Sequence, residues 1–351
     1  MNVYIWTSGE LKNAYIGEAP YEWNELCFTA NTANSTIKLR KNNSPTAVTL
    51  ETSTDGRNWT AYTIWDTITL SNIWDKVYWR NTSTTDTWFS TSSSNDYRFV
   101  MTGSIAWSWD VNYLLNKNST TSLSTYCFYW LFYWCSSLTA SPTLPATTLA
   151  TRCYYFMFYN CTSLTTAPTL PATTLAEYCY YQMFWWCTWL ITAPTLPATT
   201  LADSCYSSMF RWCTSLATAP TLPVTTLAAE CYNQMFRWCT SLTTAPTLPA
   251  TTVTSYCYYY MFRDCVNLTT VTKLPATTLA TNCYAGMFYW CSKIKLSTTK
   301  TWEYQTAYRI PTTWTWTSWT FSLNYVFDNT WWTFTWTPTI NTTYYTSNTV
   351  V

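Results

Sequence analysis

The chain has 351 residues, 48% of them hydrophobic and only 10% charged, and its formal net charge is +1. That length allows about two domains with full cores, and near-neutral charge leaves no electrostatic case for nucleic acid or an acidic membrane surface. Histidine is absent, which removes the commonest general base, the commonest metal ligand and every Ser-His or Cys-His nucleophile. No stretch approaches the ~18 apolar residues of a membrane span, so no membrane insertion is expected.

Residues 1–22 form an N-terminal extension. It starts Met1-Asn2-Val3-Tyr4-Ile5-Trp6 and lacks a basic segment followed by an apolar run, so no secretory signal is expected. Residues 23–115 predict a small antiparallel β-sandwich-like domain. Its strands are short β-branched and aromatic runs, Ser35 to Leu39, Ala47 to Glu51, Thr67 to Leu70, Lys76 to Arg80 and Tyr97 to Met101, separated by turn-rich stretches. Attachment or spacing is its expected job. Asn116 to Thr125 is a polar junction leading into the first repeat.

From 116 to 296 a 26-residue block is written seven times. The first cysteines of a C-x7-C pair are Cys127, Cys153, Cys179, Cys205, Cys231, Cys257 and Cys283; the second are Cys135, Cys161, Cys187, Cys213, Cys239, Cys265 and Cys291. A rigid period of this size predicts a solenoid, each unit burying its apolar face against its neighbours. Within a block, similar residues recur at 153, 154, 157, 158 and 161, the stripe of a short helix with one buried face. The column of residue 155 varies through Tyr129, Tyr181, Ser207, Asn233, Tyr259 and Ala285, which suits solvent. Leu164, Pro168, Leu170 and Pro171 then predict an extended stretch with one short strand at most. The cysteines are expected as buried ladders of small hydrophobes, with disulfides as the alternative. C-x7-C lacks the close spacing of a zinc site, and no metal or other cofactor is expected.

The phrase L-T-T-A-P-T-L-P-A-T-T-L-A-x-x-C-Y-x-x-M-F-x-x-C-T-S-L resembles the BspA-like leucine-rich repeats of bacterial surface proteins, over about residues 123 to 296. The 26-residue period is longer than the family's. The resemblance implies a parallel strand per coil and a curved solenoid, in a family of mostly adhesins that bind host proteins or other cells, with similar repeats in phage-encoded proteins. The expected architecture is therefore an N-terminal antiparallel β-sandwich-like domain followed by a leucine-rich-repeat solenoid, a short strand plus a short helix per coil, with a C-terminal cap. L-P-A-T-T, first at Leu144 to Thr148, resembles a sortase anchor signal but recurs and lacks the terminal glycine; it is read as a turn. Residues 297–351 are degenerate repeat and cap: Ser322 to Phe327 echoes C-Y-x-x-M-F, and Pro338-Thr339-Ile340 echoes the proline-bounded strand.

Tryptophan numbers 24 and glycine only 5, whereas average usage would give roughly 25 glycines. The residue before the second cysteine reads Trp134, Asn160, Trp186, Trp212, Trp238, Asp264 and Trp290, and Trp130 shares a column with Gly286. Asn, Asp and Gly tolerate a left-handed backbone, so these tryptophans are read as standing where glycine belongs, as a source that reads UGA as glycine would produce. T-W-T-W-T at Thr313 to Thr317 and T-W-W-T at Thr330 to Thr333 look the same. Trp59 and Trp79 read as authentic.

One column runs Tyr133, Tyr159, Trp185, Arg211, Arg237, Arg263 and Tyr289, a stripe of residue types enriched at interaction hot spots. The threonine columns of Thr165, Thr166 and Thr169 form the competing surface. The expected function is non-enzymatic adhesion or receptor binding by multivalent contact with a host or cell-surface protein or glycan. A structural spacer or tail-associated virion component without its own ligand is the alternative. Either places the chain outside the cell, on a cell surface or on a virion. An enzyme using Glu177, Asp203 or Glu230 is disfavoured because these carboxylates are scattered.

Overall fold

A computed structural model describes residues 3–7, 10–14, 26–43, 48–116, 121–276, 278–310, 323–330 and 342–351, the first two segments by backbone alone. The readings of T-W-T-W-T at 313–317, Pro338-Thr339-Ile340 and most of the extension and of T-W-W-T lie outside them. β1 (Val3–Thr7) and β2 (Glu10–Ala14) pair antiparallel. Then come β3 (Leu26–Ala30), β4 (Ser35–Asn42), β5 (Leu50–Ser53), β6 (Thr60–Ala61), β7 (Ile68–Leu70), β8 (Lys76–Asn81), β9 (Asp96–Thr102) and β10 (Ile105–Ser108). A 3₁₀-helix, Val111–Leu114, leads to β11 (Leu138–Ala140) in the first block.

One sheet has the order β11-β10-β3-β8-β5-β6 and a second the order β7-β4-β9. Alternation does the sorting: Ile37 and Leu39 of β4, and Val77 and Trp79 of β8, are buried while their neighbours are not. The rings of Phe28, Trp79, Phe99 and Trp107 meet at centroid distances of 4.1–6.1 Å. Gly103 turns the chain between β9 and β10 at φ +83°, where a Cβ would collide with Ser35 Oγ. Gly103→Ala is expected to cost about 1–2 kcal/mol from the left-handed backbone alone, read as a lower thermal midpoint; an unchanged midpoint would refute the strain.

The expected helix of each block is absent. Among the described residues the 3₁₀-helix Val111–Leu114 is the sole helical element, and the blocks do not form the strand-plus-helix coils of a leucine-rich-repeat solenoid. The sheets are small and separate. In place of a helix, Arg152 to Cys161 is a train of tight turns. Cys153, Tyr155, Met157, Tyr159 and Cys161 each donate their N–H to the carbonyl three residues back, at 3.1–3.3 Å. The residues between them donate across to the next block: Tyr154 to Cys179, Phe156 to Tyr181, Phe158 to Met183 and Asn160 to Trp185, at 2.7–3.0 Å. Arg152, Phe156 and Asn160 are left-handed, with φ +57°, +55° and +57°. A positive φ every fourth residue excludes a right-handed helix. It also makes the repeat of the segment four residues rather than 3.6.

The buried stripe is therefore the sequence's own, on a different backbone. Cys153, Tyr154, Met157, Phe158 and Cys161 are all at most 1% exposed. The column of residue 155, expected to face solvent, is half-buried or buried, because Tyr129, Tyr155 and Tyr181 stack on one another at 5.1 and 4.7 Å. In the other half of the block, Pro168 and Pro171 remove backbone donors. What remains is a single parallel bridge on either side, in columns such as Thr166–Thr192–Thr218–Thr244 and Thr226–Thr252–Thr278.

Ladders run through the stack. Phenylalanine rings from Phe132 to Phe288 repeat at 5.4–5.8 Å with interplanar angles of 1–13°. Phe99 of β9 continues the column at one end and Phe327 at the other, at 5.6 and 5.4 Å. Cys161 Sγ donates to Phe132 O at 3.1 Å, the same bond recurs along the second cysteine column, and Cys135 Sγ donates to Phe99 O at 3.2 Å. All fifteen cysteines are buried and free of disulfides.

β12 (Thr270–Val271) pairs in parallel with β16 (Thr349–Val350). β13 (Leu296–Ser297) and β14 (Thr306–Arg309) flank β15 (Thr343–Thr346). Gly286, Phe288 and Trp290 donate to the carbonyls of Asn324, Val326 and Asp328, so residues 323–330 lie on the last block as one more copy of its turn train.

Candidate binding surface

Each block presents one side chain just ahead of its third left-handed residue. This is the column Tyr133, Tyr159, Trp185, Arg211, Arg237, Arg263, Tyr289, and each member is half-buried. The turn train makes the line continuous, because cross-block hydrogen bonds hold neighbouring blocks in register. Tyr133 stacks on Tyr159 at 4.9 Å, Tyr159 meets Trp185 at 5.4 Å, and the Arg211 guanidinium lies 4.5 Å from the Trp185 ring. At the far end Arg263 lies 4.8 Å from Tyr260 and 4.7 Å from Tyr289. All seven expected residues thus share one line.

Its middle is an arginine ladder. Burial first, and then the Arg237 charge, lower the Arg211 pKa to about 10; burial and then Arg263 lower that of Arg237. Asp264 answers two of the three, at 3.1 Å from Arg263 Nε and 3.7 Å from Arg237 Nε. Its own burial raises its pKa, against the pull of both guanidiniums. Arg237 Nη1 donates to Gln234 Oε1 at 2.8 Å. Among the described residues Arg211 makes no ion pair, and the buried Nε atoms of Arg211 and Arg237 have no hydrogen-bond partner. A guanidinium is a planar donor suited to carboxylate or sulfate groups.

The line begins at a cavity of about 490 Å³ lined by Arg40, Arg98, Phe99, Val100, Met101, Tyr133 and Trp134. Arg40 and Arg98 stand directly opposite each other on β4 and β9, a like-charge pair that is unfavourable by itself. Asp96 holds Arg98 at 3.1 Å, and the Arg98 guanidinium lies over Trp130 at 4.9 Å and Tyr133 at 5.7 Å. Sequence reasoning missed both arginines, since they lie outside the 26-residue period.

The competing surface is also present: Thr166 and Thr169 are exposed and Thr165 half-buried. Of the carboxylates named from the sequence, Asp203 and Glu230 lie on adjacent blocks, each bonded to the other's chain neighbour. Asp203 Oδ1 accepts from Ala229 N–H at 2.9 Å, and Glu230 Oε2 accepts from Ser204 and Asn233, both at 3.4 Å. Among the described residues there is no cluster of three metal-ligating side chains, and no helix is long and apolar enough to cross a membrane. Comparison with protein-family models, curated proteins and solved structures finds no match.

Proposed function

We propose that the chain is a non-enzymatic adhesion or receptor-binding protein. It meets an acidic ligand on a cell surface, protein or glycan, along the line from Tyr133 to Tyr289. The observation that carries this reading is the ladder of Arg211, Arg237 and Arg263, which has one carboxylate among three guanidiniums and, among the described residues, no ion pair at Arg211. Adjacent like charges along the ladder oppose the assembly of a purely structural stack, and Asp264 pairs with only two of the three arginines. An anionic ligand with repeating charges relieves that repulsion and adds contacts at each step, the arithmetic of multivalency. The block's resemblance to the repeats of bacterial adhesins agrees with this reading, and action outside the cell or on a virion would accompany it.

Immobilised dextran sulfate is the probe. The full chain is expected to bind it in a salt-sensitive way. Arg211→Gln/Arg237→Gln/Arg263→Gln is expected to weaken binding at least tenfold, since about 1.4 kcal/mol is a factor of ten and each charged hydrogen bond contributes ~1.5–3 kcal/mol. Undiminished binding by the triple variant would reject the line as the contact surface. No binding by either form would favour the spacer.

A further inference from the structure

The left-handed residues of this fold fall into groups with different tolerances. The first in each block is Tyr126, Arg152, Tyr178, Ser204, Glu230, Tyr256 or Asn282, at φ +51° to +61°, so this position accepts almost any side chain. The third is different. It is Trp134, Asn160, Trp186, Trp212, Trp238, Asp264 or Trp290, and Asn329 in the last turn train, at φ +55° to +66°. Among the described residues outside the turn trains, the left-handed ones are Asn34, Asn43, Gly56, Gly103, Trp65, Trp74 and Trp109. In both groups the occupants are Asn, Asp, Gly or Trp and nothing else. The first three are the residues that best tolerate this conformation, and a bulky aromatic is among the worst suited to it.

The angles sharpen the contrast. Trp65, Trp74 and Trp109 sit at φ +82°, +73° and +73°, between Gly56 at +70° and Gly103 at +83°, and beyond Asn34 and Asn43 at +56° and +45°. Their side chains gain little in return: Trp74 is 72% exposed, Trp134 59% and Trp65 51%. Trp79 and Trp107 form the opposite population. They lie on strands in the core, 0% and 2% exposed, packed against Phe28 and Phe99. Trp130, at the second left-handed position, shares its column with Gly286.

We infer that Trp65, Trp74, Trp109, Trp134, Trp186, Trp212, Trp238 and Trp290 occupy glycine positions. The polypeptide made in the native source carries glycine there, as decoding of UGA as glycine would produce. Its third left-handed positions and the turns outside the trains then hold Gly, Asn and Asp, and among the described residues Trp130, in the Gly286 column, is the one tryptophan left at a positive φ. Trp185 is not left-handed and stays in the binding line, so this inference and the proposed function stand or fall separately.

Peptide mass spectrometry of protein from the native source decides the matter. Glycine at 186, 212 and 238 is expected, and tryptophan at these positions would overturn the inference. The conformational half has its own test in recombinant full chain. Trp74→Gly and Trp109→Gly are each expected to raise the melting temperature by about 2 °C or more, and a lowered or unchanged value would overturn it.

Discussion

Above pH 9 the chain is expected to unfold cooperatively over about one to two pH units. The cause is the pair of cysteine columns. Burial is the leading reason that the pKa values of Cys153, Cys205, Cys257 and Cys283 rise from 9.0 to about 12, and burial together with neighbouring thiols drives Cys161, Cys179, Cys213, Cys231, Cys239 and Cys291 well above 9.0. A folded pKa above the unfolded one stabilises the fold fully below the unfolded value, and that stability is lost as pH rises toward the folded value. Each thiol therefore withdraws about 1 kcal/mol between pH 9 and 10 and about 1.4 kcal/mol per pH unit beyond that. Burial raises Cys127, Cys135, Cys187 and Cys265 as well, so the fourteen ladder cysteines together withdraw on the order of 14 kcal/mol in the first unit, comparable with the ~5–15 kcal/mol stability of a typical domain. Tyr154, Tyr180, Tyr206 and Tyr258, also raised chiefly by burial, push the same way above pH 10. A pH titration read by circular dichroism and by a thiol reagent should show both signals change in one steep step. Gradual thiol titration from pH 9 in a still-folded chain would contradict the buried ladders.

Phe210→Ala is expected to lower stability by about 3–5 kcal/mol. Phe210 is wholly buried and stacks on Phe184 at 5.7 Å and Phe236 at 5.8 Å. One truncation therefore empties a ring from two block interfaces at once. In a stack held by nearest-neighbour contacts, a weak point in the middle also loosens the coupling between the halves. The urea midpoint should fall and the transition should broaden, while Phe210→Leu, closer in volume, should cost less than about 1.5 kcal/mol. Equal effects of Ala and Leu would mean that the ring column is not a principal contact.

Burial was legible in the sequence, and backbone was not. The positions 153, 154, 157, 158 and 161 pick out the buried face correctly because side-chain direction repeats with the columns. Over nine residues, however, a period of four differs from 3.6 by less than one residue. The stripe alone could not separate a turn train from a helix. The separating signal lay elsewhere in the block, in Asn160, Asp264 and the Gly286 column, which mark left-handed residues at four-residue spacing. Ser35 to Leu39, Lys76 to Arg80 and Tyr97 to Met101 fall within β4, β8 and β9. β3 went unread because Leu26–Ala30 has an almost continuously buried run with no alternation. The line from Tyr133 to Tyr289 was legible because columns become neighbours when blocks stack. Arg98 and Arg40 join its end through β9, a tertiary contact without a periodic trace.

Far-UV circular dichroism of the full chain tests the turn train most directly, and the outward line and the glycine positions both depend on it. The spectrum is expected to lack a helical signature. A helical signal of the size that seven nine-residue helices would produce would contradict the account.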